Sequence, residues 1–125
     1  MQTKEEIRTY LFEQLKANNA LWSYDKSNMT ANSLTDELLI ETVLMHLDLD
    51  DIDMLFLLFP KKLIKDVWKW NMCALEPRYH SSNVLFAIIY FKIKNPQRYV
   101  VMQARRAIRK NLTGNYHARS ITKNG

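Results

Sequence analysis

An all-α fold, a compact bundle of five or six helices, is what these 125 residues predict, and three observations carry the prediction. Glycine occurs only twice, whereas β-sandwiches and doubly wound α/β domains spend glycine on turns and phosphate loops. Apolar residues recur three and four positions apart through most of the chain, which is helical spacing. The breaks between these runs carry helix-start chemistry: Ser, Thr, Asp or Asn as caps, and Pro where a first turn begins. A hydrophobic fraction of 47% and a charged fraction of 25% are ordinary globular values. The length suits one core, so the expected organisation is one helical domain over 1–112 and a flexible basic tail over 113–125.

The first helix is expected over 3–18. Thr3 and Glu6 form a capping-box pattern, and Ile7, Tyr10, Leu11 and Leu15 make one apolar stripe. Residues 19–33 read as a polar loop with an aromatic knot, Leu21-Trp22-Ser23-Tyr24, which either lids the core or stands out as a recognition loop. A second helix over 34–47 buries Leu39, Ile40, Val43, Leu44 and Leu47. Asp48, Asp50, Asp51 and Asp53 follow. A calcium loop would need a central Gly and a Glu at its twelfth position, and the twelfth residue from Asp48 is Phe59. The acids fit the start of a third helix over 50–58, where carboxylates meet the positive end of the dipole, with Ile52, Leu55 and Phe56 inward.

Pro60 breaks that helix and suits the first turn of a fourth, expected over 60–72 with Leu63, Ile64, Val67 and Trp68 inside. Residues 73–80 form a connector around Pro77. The run Val84–Phe91 is apolar all the way round. Periodicity cannot separate a buried strand from a buried central helix there. The capping residues Ser81, Ser82 and Asn83, and the lack of an evident partner strand, select a helix over 82–93. Asn95-Pro96 starts the last helix, which runs to about Leu112. Val100, Val101, Ala104, Ala107 and Ile108 fill one side of it, and Arg98, Arg105 and Arg109 line the opposite side, flanked by Arg106 and Lys110.

Charge divides sharply along the chain. The net charge is +5, yet residues 1–76 carry −5 and residues 77–125 carry +10, with Glu76 the last acid. Either two oppositely charged halves attract within one fold, or the C-terminal half meets an anionic partner, nucleic acid or an acidic protein surface. Two cationic sets are candidates for that contact. One is Lys61, Lys62, Lys65 and Lys69, which the 50–58 and 60–72 pair would present as a helix-turn-helix, or which would decorate a plain helical hairpin. The other is Arg98, Arg105, Arg106, Arg109 and Lys110 with Arg119 of the tail. Arginine suits planar recognition of carboxylate or phosphate.

Nothing in the pattern carries catalysis. His46, His80 and His117 are scattered, Cys73 has no histidine partner by spacing, and no metal or phosphate-loop motif is present. No enzyme activity and no cofactor are expected. A lone cysteine, charged residues through the first sixteen positions and no long apolar run predict a cytoplasmic protein with no membrane partner.

Four stretches together resemble a known group: Trp22–Asp25 (WSYD), Asp36–Leu44 (DELLIETVL), Leu47–Trp68 (LDLDDIDMLFLLFPKKLIKDVW) and Ile93–Tyr99 (IKNPQRY). They look like small bacterial proteins, mainly of Bacteroides type. These are similar to the small partner encoded beside AbiE-like nucleotidyltransferase toxins in abortive-infection toxin–antitoxin operons. The resemblance covers about residues 20–100. It implies a non-enzymatic, antitoxin-like protein that binds and neutralises a cognate toxin. The alternative from the residues themselves is a DNA- or RNA-binding regulator.

Overall fold

A computed structural model describes residues 3–18, 20, 30–110 and 112. The aromatic knot at Trp22 and Tyr24, the tail 113–125 and Arg119 lie outside them. The described residues are all-α, with no strand among them, in six α-helices: α1 (Lys4–Ala17), α2 (Asp36–His46), α3 (Leu49–Leu58), α4 (Lys61–Val67), α5 (His80–Ile89) and α6 (Pro96–Lys110). The chain divides into two compact units, Met1–Val67 and Trp68–Gly125.

In the first unit, α1 packs on α2 and α3, and α2 also meets α3 and α4. Two helix starts carry side-chain caps; α5 instead begins at His80, ahead of the expected caps Ser81, Ser82 and Asn83, with no side-chain cap bond. Thr3 and Glu6 form a complete capping box on α1, and the Thr35 hydroxyl accepts from the Leu38 N–H at 3.1 Å to cap α2. Leu11, Leu15, Leu39, Ile40, Val43 and Leu55 are sealed from solvent, each burial contributing about 1.5–3 kcal/mol. Phe12 replaces Tyr10 in the buried stripe of α1; the Tyr10 hydroxyl instead reaches the surface and donates to Asp51 at 2.8 Å. Arg8 ties the segment before α2 to α1. Its Nε donates to the Ala31 carbonyl at 2.9 Å, and its two terminal nitrogens donate to the Leu34 carbonyl at 2.6 Å and to Asp36 at 2.9 Å.

The second unit starts with irregular helix. The expected continuous helix over 60–72 is α-helical only to Val67. A π-helical turn follows over Trp68–Met72, then a 3₁₀ turn over Cys73–Leu75. The π turn carries a wide i→i+5 bonding pattern, and Gln103 donates from its side-chain amide to the Lys69 carbonyl at 3.4 Å. Trp68 is fully buried, with its ring 4.8 Å from that of Phe91 and stacked at 5.8 Å on Tyr99. Its indole N–H donates to Asn83 Oδ1 at 3.1 Å, and Asn83 donates in turn to Glu76 at 2.7 Å. Glu76 also pairs with His80 Nδ1. No buried side-chain nitrogen or oxygen among the described residues lacks a partner, so the network meets the requirement that interior polar groups be satisfied.

Two expected faces are corrected here. The run Val84–Phe91 is helical only as far as Ile89, in a helix that covers His80–Ile89 where 82–93 is expected, and it is not buried on every side. Asn83, Phe86 and Ala87 of α5 face inward, while Leu85 is 40% and Ile88 49% exposed. A single helix laid on α6 can cover only one stripe of its circumference. On α6 the buried residues are Val100, Gln103, Ala104 and Ala107, and Val101 and Ile108 stand out at 40% and 44% exposure. Gln103 enters because it has a carbonyl to bond. After α5 the chain turns through Lys92, whose φ of 52° is the left-handed region, into the start of α6.

Candidate partner-binding surface

The expected lysine set does not share one regular helix. Lys61 and Lys62 are exposed and Lys65 half-buried on α4, in the first unit, whereas Lys69 lies in the π turn of the second. Lys69 is brought instead to Trp70, with its ammonium 5.2 Å from the ring centre. Lys110, from the far end of α6, sits over the same indole at 4.0 Å. Both are cation–π distances. One member of each candidate set therefore meets at a tryptophan that periodicity did not single out.

The arginine set is brought together. Arg98, Arg105, Arg106, Arg109 and Lys110 are all exposed on α6. At about 100° per residue, Arg98, Arg105 and Arg109 form the outward ridge opposite Val100 and Ala107. Arg106 and Lys110 lie to one side of the ridge. The other side carries exposed Val101 and Ile108, with exposed Leu112 past the helix end, so cationic and apolar residues run side by side there. Arg105, Arg109, Ile108 and Leu112 together line one hollow.

Two further hollows adjoin at the start of α6. The first is lined by Val84, Ile88, Pro96 and Gln97, the second by Ile93, Lys94, Tyr99, Met102 and Arg106, and Asn95 and Arg98 line both. Burial raises the Tyr99 hydroxyl above the ordinary tyrosine range; the nearby Cys73 adds to this and Arg106 opposes it. That phenol is neutral at physiological pH and presents an apolar ring with a donor tip.

The unit that carries this surface has eleven Lys/Arg and a single acid, Glu76; the first unit has seven Lys/Arg and twelve Asp/Glu. Glu76 is committed to buried Asn83 and half-exposed His80. Cys73 is buried in the same unit, where desolvation, with Glu76 adding and Lys69 opposing, pushes its thiol up to about 12. A buried, protonated thiol is a poor nucleophile. Among the described residues no helix is long and apolar enough to cross a membrane.

Comparison of the chain with protein-family models, with curated proteins and with solved structures gives no match.

Proposed function

We propose that this chain is a non-catalytic, antitoxin-like binding protein whose basic second unit engages a cognate toxin. A nucleotidyltransferase is the toxin class that the resemblance implies. The observation that carries the reading is the interleaving on α6: Arg98, Arg105 and Arg109 run beside exposed Val101 and Ile108, with exposed Leu112 past the helix end. Phosphate backbones reward cations but have no use for an aliphatic flank. A protein surface with carboxylates around an apolar centre uses both, since fully buried interface cores are apolar and their rims polar. Enzymes that act on nucleotides present cationic pockets, so a basic inhibitor of one docks on an acidic rim outside the pocket.

A nucleic-acid regulator is the second reading, favoured by cation density alone. Its helix-turn-helix form has less support, because α4 is seven residues long and offers lysines without side chains for bidentate base readout.

Co-expression with the product of the adjacent gene tests the proposal. The expected result is a co-purifying complex and restored growth of cells poisoned by that product. Titration of mixed-sequence duplex and single strands at low salt tests the second reading. Affinity that falls steeply with salt, combined with no complex and no rescue, would replace the first reading with the second.

A further inference from the structure

We propose that the paired hollows on either side of Arg98 are the docking site for an acidic amphipathic helix of the partner protein. Two apolar side chains of that helix seat in the hollows, and a carboxylate between them meets the Arg98 guanidinium. The inference deepens the reading of a protein partner and rests on it.

Three features select this occupant. The first is the lining. Val84, Ile88 and Pro96 floor one hollow, and Ile93, Tyr99 and Met102 floor the other. Ile88 is 49% exposed, a large aliphatic surface left open at the end of a helix. Apolar pockets that receive the i and i+3 or i+4 residues of a helix are the usual means of helix-in-groove recognition. The second is openness. Both hollows open broadly to solvent. A small-molecule site encloses most of its ligand; hollows this open suit side chains that stay attached to a partner's surface.

The third feature is charge. Arg98 stands between the hollows, with Lys94 and Arg106 at the rim of the second. The only acid of this unit, Glu76, is taken up by Asn83 and His80. A cationic or neutral helix would leave these charges uncompensated, while a carboxylate-bearing one gains charge-assisted bonds. The chain's own residues 113–125 carry Arg119 and Lys123 and no acid, so they are the wrong sign to fill the site.

The test uses the full-length chain and a fluorescein-labelled helix-forming peptide of about 18 residues, with Leu on one face at i, i+3, i+4 and i+7 spacing and Glu elsewhere. Three control probes accompany it: the same peptide with Leu changed to Ser, the same peptide with Glu changed to Lys, and a single-stranded oligonucleotide of similar charge. Saturable binding of the Glu/Leu peptide is expected. Each of Ile88→Glu, Met102→Glu and Arg98→Glu should weaken it about tenfold or more, with unchanged far-UV circular dichroism and thermal midpoint. Arg98→Gln, which reverses no charge, should give a smaller loss in the same direction.

No saturation below about 1 mM peptide overturns the proposal. So does binding of the Ser-substituted peptide or the oligonucleotide as tightly as the Glu/Leu peptide, because charge alone then suffices. Self-association of the chain that Arg98→Glu abolishes, with no peptide binding, assigns the surface to a second copy and also overturns it. The growth assay separates this inference from the function it rests on. A toxin neutralised equally well by wild type and by the Ile88→Glu/Arg98→Glu variant removes this site and leaves the function standing. A wild-type chain that binds the peptide through these residues yet rescues no growth supports the site and removes the function.

Discussion

In residues 1–67 the polar side chains that join separate segments work at or near the surface. Arg8 holds the 31–36 segment from a partly buried position, and the Tyr10 hydroxyl reaches Asp51 outside. The interior there is aliphatic, made of Leu, Ile and Val with Phe12. In residues 68–110 the joining bonds start from fully buried side chains and reach outward to a half-exposed His80. Trp68, Asn83, Glu76 and His80 form a continuous chain, and Gln103 is buried against the backbone of the π turn. The acidic unit is thus assembled from regular helices by burial of apolar stripes, and the basic unit from irregular helix pinned by buried polar contacts. Regular helices satisfy their own backbone, so their core needs only shape and apolar area. A π turn, a 3₁₀ turn and a connector in sequence need side chains to fix them. The cationic surface of α6 stands on that pinned interior.

Four measurements bear on this contrast. Trp68→Ala attacks the centre of the basic unit and should lower stability by about 3–5 kcal/mol in urea unfolding, the range for deleting a buried large aromatic. A loss under about 1 kcal/mol would mean that Trp68 does not organise the unit. Asn83→Leu keeps the branched outline of the side chain and removes the link. The Trp68 N–H and the Glu76 carboxylate each lose a partner, and the expected loss is about 2–3 kcal/mol. If Asn83→Leu is neutral, the interior tolerates apolar replacement and the proposed difference between the units collapses. Arg8→Ala, the corresponding cut in the acidic unit, removes three hydrogen bonds from a partly exposed position. It should cost about 1–2 kcal/mol, less than Asn83→Leu; the reverse ranking would reverse the contrast.

The last measurement concerns pH, where no effect is expected near neutrality. The Cys73 thiol is held neutral in the fold, with its pKa raised from an ordinary 9.0 to about 12. The unfolded chain loses that proton first as pH rises. The stabilising contribution is therefore complete below about pH 9 and declines from there towards pH 12. Cys73→Ala should flatten the alkaline limb of a stability–pH curve. In the native wild type, the thiol should react with iodoacetamide only at the rate of unfolding. Rapid modification near neutral pH would show that the interior of the basic unit opens readily.

Much of the fold was legible because its signals are local. The Thr3–Glu6 box, the break at Phe59-Pro60 and the start at Asn95-Pro96 depend on neighbours a few residues away, and each lies where expected. The Leu39–Leu44 stripe was legible for the same reason. The arginine ridge follows from helical geometry alone, so Arg98, Arg105 and Arg109 could be placed together in advance. The exposed aliphatics beside them could not. Val101 and Ile108 read as core, because the pattern says which residues are apolar but not how wide a stripe the neighbours will cover. Trp70 drew no notice, since its meeting with Lys69 and Lys110 joins positions forty residues apart. Gln103 and Arg8 were missed because a polar residue is recognisable as structural only when its distant acceptor is known.

The sequence by itself determined that the chain is helical, where most helices begin, and that its charge splits into an acidic and a basic part, because caps, prolines, periodicity and composition act over short range. Tertiary structure decided that the helix from Lys61 changes to a π turn at Trp68, that α5 leaves Ile88 open, and that Arg98 stands between two hollows. Those outcomes depend on which surfaces meet and how much of each is covered, a quantity set by packing between remote segments.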